Sequence, residues 1–573
     1  MVLLIRFRLL IKPKSPIMLK NKLLKRSHVF MVVFFALAIA GCKKTDFTIA
    51  TTSDANIADY LRNDPADFSD FYTIISRAGA AGYLNAYGAY TVFAPTNTAV
   101  KAWLLKKGKS SVNDIDSSVL RDVVRFHLIK DTLTTSVFTD GKLPNINVYG
   151  QFLTTSVGVS DGVAGYIINR QAKLLQGNIV TGNGIIHVID QVLEPATLTL
   201  AQQLEQNSDY SIFTQALKET GYYDTLNTSN IIDTTRQWLT VIAQTDAVFK
   251  AIGIADYAAL KAQYSNTGNP RDHADSLHLY IAYHILTGIK FLADIISAPS
   301  HTTLAPLEVV TAKLDNQTVL LNEDVFNGVT EPGIALDRTN SDYIATNGAL
   351  HAATGNLQIK VRKPAAVYWD VADQPEIRQL VSVFRKPGQV AEFSDPAQFS
   401  GIKWQGGTIK YNVTATTSTD YYCYYDFLTW YMRTAVTQWV EFTTPFLVKG
   451  KYKVWICFRR ARAQTIQVLV DDQPLSKLVD VSVYYPTTLD DDNAEATGVK
   501  RFVVTPSTNA NHIGKLVGVV DIATSDRHKL KFVALTNESG SANTFNLDMV
   551  HFIPADQEQK WPRFQRDGTA TYQ

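Results

Sequence analysis

The stretch Tyr90-Thr91-Val92-Phe93-Ala94-Pro95-Thr96-Asn97 decides how this 573-residue chain folds. Its apolar and β-branched run predicts a buried strand. The strand ends at Pro95, because proline cannot donate a ladder hydrogen bond. Thr96 or Asn97 can cap a helix behind it, since both side chains accept hydrogen bonds from the free amides at a helix start. Apolar residues at helical spacing over 71–78 precede the strand, so the stretch predicts a mixed α/β unit.

The blocks of this pattern occur twice, in the same order. The paired blocks are 90–97 with 240–246, 123–128 with 282–285, and 183–190 with 347–351. The offset between copies grows from 149 residues (97 to 246) to 164 residues (187 to 351), which indicates insertions in the second copy. Ordered blocks at a near-constant shift predict a tandem duplication.

These blocks resemble the fasciclin domain, a mixed α/β module of cell-adhesion proteins. Residues 91–97 are similar to its first conserved motif, Phe126-His127 to its central Tyr-His pair, and residues 184–190 to its second motif. The resemblance implies two α+β domains, at 57–197 and, more divergent, at 198–373. In the second copy Gln244 stands where the first has its proline. The resemblance implies structural roles for Thr91, Phe93, Pro95, Asn97, His127, Gly184, His187, His284, Gly348 and His351.

The histidines of these blocks invite a catalytic interpretation. His127 and His284 each follow an aromatic residue within an apolar stretch, and no Ser or Cys motif accompanies them. A core histidine that satisfies buried backbone groups is the favoured interpretation. The same holds for His187 and His351.

The last third of the chain has the sequence pattern of an all-β domain. Alternating segments such as 439–443, 450–458 and 466–470 predict the short strands of a β-sandwich. Their order resembles a galactose-binding-like jelly roll over 400–556, the fold of many carbohydrate-binding modules. Residues 374–399 are expected to be a linker, and residues 557–573 a polar tail.

An aromatic run within the sandwich suggests a ligand platform. Sugar rings pack their C–H faces on flat aromatic side chains, while their hydroxyls need polar partners nearby. Packing in the core is an equally good explanation for the same run, whereas Trp439 and Trp455 lie on alternating strands and are expected in the core. The candidate ligand-binding residues are Tyr421, Tyr424, Tyr425, Trp430 and Tyr431.

Two further features leave alternatives open. Cys423 and Cys457 lie in strand-like sequence and are either a disulfide or two buried free thiols. The run Asp490-Asp491-Asp492 is a weak calcium candidate, with a solvated acidic loop as the favoured alternative. No Cys/His spacing suggests zinc, and no cofactor is expected.

The amino terminus has the layout of a secretory signal. Basic residues precede the apolar run 29–40, which is too short to span a bilayer as a helix. The ending Ile39-Ala40-Gly41-Cys42 resembles a bacterial lipobox, which implies a signal peptide at 1–41, a lipidated Cys42 and a tether at 42–56. Lys43 follows Cys42 where an Asp would retain an enteric lipoprotein, and this favours the outer membrane, with surface or periplasmic orientation open.

Charge and motifs narrow the function. The formal charge is +2, and without residues 1–41, which hold eight Lys or Arg and no acidic residue, it becomes −6, so no nucleic-acid partner is expected. No Gly-x-Ser-x-Gly, His-Glu-x-x-His or phosphate-binding glycine loop is present. We therefore expect a non-enzymatic, lipid-anchored envelope protein that binds glycan or matrix. The alternatives are protein–protein adhesion without a sugar site, and a cryptic polysaccharide-processing enzyme.

Overall fold

The computed structural model describes residues 55–86, 88–160, 163–228, 238–326, 329–538 and 544–573. The expected signal peptide and Cys42 lie outside these residues, as does most of the expected tether. Two mixed α/β units, called the first unit (57–197) and the second unit (198–359), precede an all-β part, called the sandwich (366–573). This confirms the mixed α/β character of the repeats and the all-β character of the last third of the chain.

The first unit packs five helices against one seven-stranded sheet. Its helices are α1 Ile57–Asn63, α2 Pro65–Arg77, α3 Ala81–Leu84, α4 Asn97–Lys106 and α5 Ser117–Phe126. Its strands are β1 Tyr90–Pro95, β2 Leu128–Ile129, β3 Gly141–Lys142, β4 Thr154–Ser160, β5 Val163–Ile168, β6 Ala172–Thr181 and β7 Gly184–Ile189. The strand order is β2-β1-β7-β6-β5-β4-β3, so the two motif strands β1 and β7 are neighbours.

The pairing of β1 with β7 is parallel, and it brings two backbones unusually close. Tyr90 lies opposite Gly184, and the register continues to Pro95 opposite Ile189. A Cβ at Gly184 would stand 2.1 Å from the carbonyl oxygen of Tyr90. Only glycine leaves room for this approach. Behind β1, the Thr96 side chain caps α4 by accepting a hydrogen bond from Ala99 N at 3.3 Å.

The second unit repeats this plan. Its helices are α6 Leu200–Glu205, α7 Ser211–Thr220, α8 Tyr222–Leu226, α9 Asp246–Ala251, α10 Tyr257–Tyr264, α11 Ser276–Tyr283 and α12 Leu292–Ser297. Its strands are β8 Leu239–Gln244, β9 Ile285–Thr287, β10 Ser300–Thr302, β11 Val309–Asp315, β12 Thr318–Leu321, β13 Asp324–Phe326, β14 Val329–Glu331, β15 Ile334–Asp337, β16 Tyr343–Ala345 and β17 Gly348–Ala353. The order is β10-β11-β12-β15-β17-β8-β9, with β16 on β17 and a separate β13–β14 hairpin.

The divergent positions of the second unit keep the central parallel pair intact. β17 pairs with β8 from Gly348 opposite Leu239 to Ala353 opposite Gln244. Gln244 replaces the proline of the first copy, and its buried amide donates to the Tyr280 hydroxyl at 2.6 Å and accepts from Leu357 N at 2.5 Å. The Gln244 side chain therefore anchors the end of β8 through hydrogen bonds to Tyr280 and Leu357.

The sandwich is built from an eight-stranded and a six-stranded sheet. Its strands are β18 Val367–Asp370, β19 Val390–Phe393, β20 Ile402–Gln405, β21 Ile409–Val413, β22 Asp426–Trp430, β23 Trp439–Leu447, β24 Gly450–Arg459, β25 Thr465–Val470, β26 Gln473–Pro474, β27 Val479–Asp480, β28 Val499–Lys500, β29 His512–Ile522, β30 Asp526–Ala534, β31 Phe545–Pro554, β32 Arg563–Phe564 and β33 Ala570–Thr571, with helices α13 Pro375–Arg378 and α14 Asp491–Ala496. One sheet has the order β19-β21-β22-β31-β24-β29-β28 with β18 also on β31, and the other has β20-β23-β30-β25-β26 with β27 on β25.

The sandwich is larger than the sequence pattern indicated. Residues 374–399, expected to be a linker, contribute Ile377, Phe393 and Phe399 to its hydrophobic core. The expected polar tail forms β32 and β33, and Phe564 packs in a second buried cluster. These segments were hard to recognise because each is short and broken by Pro or Gly, so their few apolar residues show no period.

Ion pairs connect the three parts at their borders. Lys142 of the first unit pairs with Asp294 of the second at 2.9 Å, and Arg338 of the second pairs with Asp140 of the first at 2.8 Å. Lys449 of the sandwich reaches Glu308 of the second unit at 2.5 Å. Such partly exposed pairs contribute about 0–1 kcal/mol each, so they orient the parts more than they stabilise them.

Within the described ranges, no helix has the length and apolarity that crossing a membrane requires.

We expect Gly184→Ala to destabilise the first unit by about 1–3 kcal/mol, because the new methyl group would force β1 and β7 apart. Hydrogen–deuterium exchange of the β1 and β7 amides measures this as faster exchange. Gly82→Ala in α3 is the matched control, since a Cβ there meets no atom within 4 Å. Equal exchange in the two variants would contradict the close-approach argument.

Candidate functional site

The motif threonine and histidine of each unit hold one loop against the central strands. Thr91 Oγ1 donates to Asp131 O at 2.6 Å and accepts from Leu133 N at 2.8 Å. His187 Nε2 donates to Leu133 O at 2.8 Å, and its Nδ1 accepts from Asn178 N at 3.3 Å. Every polar atom of this pair is therefore used within the fold.

The second unit reproduces this arrangement atom by atom. Thr240 Oγ1 donates to Gly288 O and accepts from Lys290 N, both at 2.8 Å. His351 Nε2 donates to Lys290 O at 2.8 Å, and its Nδ1 accepts from Asp342 N at 3.3 Å. The duplication is thus visible in hydrogen bonds as well as in strand order.

The central histidines are neutral groups in the core. His127 Nδ1 donates to Val123 O at 2.7 Å, and its Nε2 accepts from Leu193 N at 2.9 Å. His284 Nδ1 donates to Tyr280 O at 2.8 Å. Burial lowers the pKa of both imidazoles to about 4. Neither side chain is exposed, so this geometry offers no general acid or base to a ligand.

Two asparagines that the sequence analysis did not select hold the helices onto the sheet. Asn183 Oδ1 accepts from Ile57 N at 2.9 Å, while its Nδ2 donates to Leu84 O and Ala86 O at 2.7 and 2.8 Å. Asn347 makes the equivalent bonds to Leu200 N, Leu226 O and Thr228 O. The available signal was an Asn directly before the motif glycine in both copies.

The motif residue Asn97 likewise has a counterpart. Its Oδ1 accepts from Asp70 N at 2.9 Å, and Asp246 Oδ1 accepts from Ile212 N at 2.9 Å. Phe93 is buried and packs against the rings of Phe138 and His187. The motif residues of both units thus lie in the interior or at helix starts.

The aromatic run of the sandwich does not form one open platform. Trp430 is 1% exposed and packs edge-on against Phe545, so it is a core residue and was wrong as a ligand candidate. The alternation of β22 places it inward, a position that the irregular sequence ahead of the strand concealed. Tyr431, the next residue along the chain, is half-buried.

The remaining tyrosines meet the C-terminal segment of the chain. The Arg566 guanidinium lies 4.3 Å from the ring centre of Tyr421 and 5.7 Å from that of Tyr425. A Cβ at Gly568 would stand 2.0 Å from the Tyr424 ring, so this glycine rests directly on it. The segment expected to be a free tail therefore covers much of the candidate platform.

Tyr424 also lines a cavity of about 580 Å³ beside β18. Asp373 and Arg378 form an ion pair on its wall, with Arg378 Nη2 2.9 Å from Asp373 Oδ2. Tyr368 adds a second aromatic side chain, and the guanidinium of Arg527 lies at the same cavity. A concave surface with aromatic walls and a few fixed polar groups is typical of small-molecule sites. This cavity is the candidate functional site of the sandwich.

Buried carboxylates lie behind this cavity. Burial raises the pKa of Asp370 to about 6 and that of Asp426 to about 8, and it raises the pKa of Asp548 well above its usual range. Arg385 opposes the shifts of Asp370 and Asp426, with its Nη2 3.1 Å from Asp370 Oδ2 and its Nε 3.7 Å from Asp426 Oδ2. The same guanidinium lies 3.6 Å from the Tyr424 ring centre, so one cation serves both the carboxylates and the tyrosine.

Hydrogen bonds satisfy only part of this cluster. The Tyr411 hydroxyl donates to Asp426 Oδ2 at 2.7 Å, and Cys423 N donates to Asp548 Oδ2 at 3.1 Å. The Oδ1 atoms of Asp426 and Asp548 are buried without a partner among the described residues. Asp426 and Asp548 therefore favour the protonated form at neutral pH, whereas a pKa of about 6 leaves Asp370 mostly ionised.

The two cysteines are free and buried in one cluster with Trp455 and Met549. Burial raises the pKa of both thiols far above the usual range. Of the two alternatives drawn from the sequence, the structure has the buried thiols.

The acidic run begins a helix rather than holding a cation. Asp490 caps α14 by accepting from Asn493 N at 2.8 Å. Asp491 pairs with Arg563, and Asp492 pairs with Lys560. No group of three or more His, Cys, Asp or Glu side chains in the described part of the chain is placed to hold a metal ion. Helix capping and ion pairs engage these carboxylates, so the run begins a helix where a solvated loop was the favoured interpretation, and the structure lends no support to the weak calcium candidate.

Several known proteins are similar in sequence to this chain. Residues 66–195 match the family model of the Fasciclin domain. Transforming growth factor-beta-induced protein ig-h3 of Sus scrofa is 23% identical over 301 residues, which are 52% of this chain and 39% of that protein. Fasciclin-1 of Drosophila melanogaster is 26% identical over 204 residues, which are 35% of this chain and 28% of that protein.

The chain thus spans less than half the length of these curated relatives. Among solved structures, a FAS1 domain pair from the insect cell adhesion molecule Fasciclin I is 18% identical, covering 52% of this chain and 98% of that chain at a TM-score of 0.25.

We expect the sandwich to lose stability as pH rises from about 4 to about 8. The Asp426 carboxyl has a pKa of about 8 in the folded protein and an ordinary value of 3.8, so the folded state holds its proton more tightly. Asp426 therefore adds to the free energy of unfolding at low pH, and this stabilisation is lost as the pH rises to about 8. Asp426→Asn should flatten this dependence and stabilise the protein at pH 8. Urea unfolding followed by tryptophan fluorescence reports it, since six of the eight Trp lie in the sandwich.

The matched control is Asp521→Asn, which changes an exposed carboxylate of β29. It should leave the pH dependence as it is. An identical pH dependence in wild type and Asp426→Asn would show that the buried carboxyl does not titrate in this range.

Proposed function

We propose that the chain is a cell-envelope adhesion protein whose sandwich binds a sugar residue in the cavity lined by Tyr424. The match of residues 66–195 to the Fasciclin domain and the similarity to Fasciclin-1 support the adhesion role. In this proposal the chain has three domains, and the two fasciclin-like units act as contact or spacer modules. A lipid on Cys42 anchors the protein to the outer membrane, with the units and sandwich exposed at the surface.

The cavity is the observation that carries the sugar proposal. Its volume of about 580 Å³ lies within the ~300–1,000 Å³ range of small-molecule sites. Tyr368 and Tyr424 offer apolar ring surface, whereas the Asp373–Arg378 pair offers a fixed donor and acceptor to neighbouring hydroxyls. A pyranose needs both kinds of contact at once.

Protein–protein adhesion without a sugar is the second candidate. The observation in its favour is that Arg566 and Gly568 already cover the rings of Tyr421 and Tyr424. In that case the tyrosines would stabilise the C-terminal segment, and partners would bind elsewhere on the chain.

We expect the full chain to bind a subset of glycans on a broad array, with calorimetry confirming each hit. Asp373→Ala with Arg378→Ala should weaken that binding at least about tenfold, since two charge-assisted contacts are lost together. Removing both partners avoids leaving either charge unpaired.

Glu392→Ala with Lys410→Ala is the matched control, because it removes an exposed ion pair elsewhere on the sandwich. It should bind as wild type does. A folded protein that binds no glycan but still aggregates cells would favour protein adhesion, and release of reducing ends from a polysaccharide would indicate an enzyme.

A further inference from the structure

The first unit contains a second cavity, far in sequence from the sandwich. Its volume is about 510 Å³, and it lies between the end of α2, α3, β1 and α5. Ala78, Ala80, Val124 and Leu128 form an apolar floor. Its size is that of a small-molecule site.

Two tyrosines form the aromatic wall of this cavity. The ring centres of Tyr83 and Tyr90 lie 6.4 Å apart at an angle of 56°. Tyr83 is 38% exposed, so part of its ring is open to a ligand. Burial is the main cause that raises the pKa of Tyr83, and the guanidinium of Arg125 opposes it.

Cations surround the opening. Arg121, Arg125 and Lys130 are exposed lining residues, and the described lining includes no Asp or Glu. Arg125 has a loose pairing with Asp122 at 3.7 Å, and its Nη2 donates to Val148 O at 3.3 Å. The cavity thus combines an apolar interior with a positive rim.

The second unit has larger side chains at the positions that correspond to this cavity. Leu84 and Leu226 are equivalent, because each carbonyl accepts from the motif asparagine of its unit. Ala80 lies four residues before Leu84 and Tyr222 lies four residues before Leu226, so Ala80 corresponds to Tyr222. His127 and His284 are equivalent as well, so Arg121 corresponds to His278.

In the second unit these two residues bind each other. The Tyr222 hydroxyl lies 3.0 Å from His278 Nε2, and the rings are 4.7 Å apart. The other rim positions, Arg125 and Lys130, correspond to Ala282 and Thr287. At these corresponding positions the second unit therefore has a tyrosine ring and no Lys or Arg, whereas the first unit has the methyl group of Ala80 and three cations beside its cavity.

We infer that the cavity of the first unit binds an amphipathic carboxylate, with its apolar body on Ala80 and Tyr83 and its carboxylate among Arg121, Arg125 and Lys130. The apolar floor binds the body by excluding water. The rim cations favour an anion over a neutral or cationic head group. This ligand class is independent of the sugar proposed for the sandwich.

The test uses the full chain with Cys42→Ser, so that no attached acyl chain competes. Decanoate is titrated by calorimetry below its micelle concentration, alongside decanol and decyltrimethylammonium. We expect saturable decanoate binding at least about tenfold tighter than that of either other probe, and weaker in high salt.

Two variants locate the site. Ala80→Tyr with Arg121→His copies the filled arrangement of the second unit and should abolish decanoate binding. Arg121→Glu with Lys130→Glu alters only exposed positions and should weaken it at least about tenfold. Lys101→Glu, an exposed cation on α4, is the control and should bind as wild type does. No binding by the folded protein, equal binding of the three probes, or binding unchanged in both double variants would overturn the inference.

Discussion

At Gly184 and at Gly348 the backbone of one strand approaches the carbonyl of its parallel neighbour so closely that a single methyl group would not fit. The rest of each unit is arranged around that contact. The asparagine directly before the glycine anchors the first helix and the end of the third. The histidine three residues after the glycine holds the loop that follows β2 in the first unit and β9 in the second. One steric constraint therefore fixes sheet register, helix placement and loop path together, and it does so twice.

The features of the fold that depend on residues close in sequence could be predicted from the sequence. A strand stopped by Pro95, a helix capped by Thr96 and a repeated block all involve residues close in sequence, so pattern alone indicates them. The sandwich cavity depends on Asp373, Tyr424 and Phe564 meeting from distant segments. Contacts between such distant segments leave no periodic pattern in the sequence. Trp430 shows the same limit, because its burial follows from partners on β31 rather than from its own surroundings.

The two cavities illustrate different ways of keeping space open in a fold. In the first unit an alanine stands where the other copy has a tyrosine, and long cationic side chains remain at the surface. In the sandwich the half-buried guanidinium of Arg385 contacts Asp370 and the ring of Tyr424, which both line the cavity. Because the unit is duplicated, the second unit provides a comparison for the cavity of the first unit. There Tyr222 occupies the position that corresponds to Ala80.

The antiparallel pairing of β18 with β31 has a mechanical consequence. β18 is the first strand of the sandwich, so a pull transmitted along the chain from the two units would enter the sandwich at Val367. Its four residue pairs with β31, from Val367 opposite Phe552 to Asp370 opposite Met549, have hydrogen bonds perpendicular to that pull. A pull along β18 would therefore act on all of these bonds at the same time. The cavity lies beside the same strand, so a ligand bound there would sit close to the point where such a pull enters.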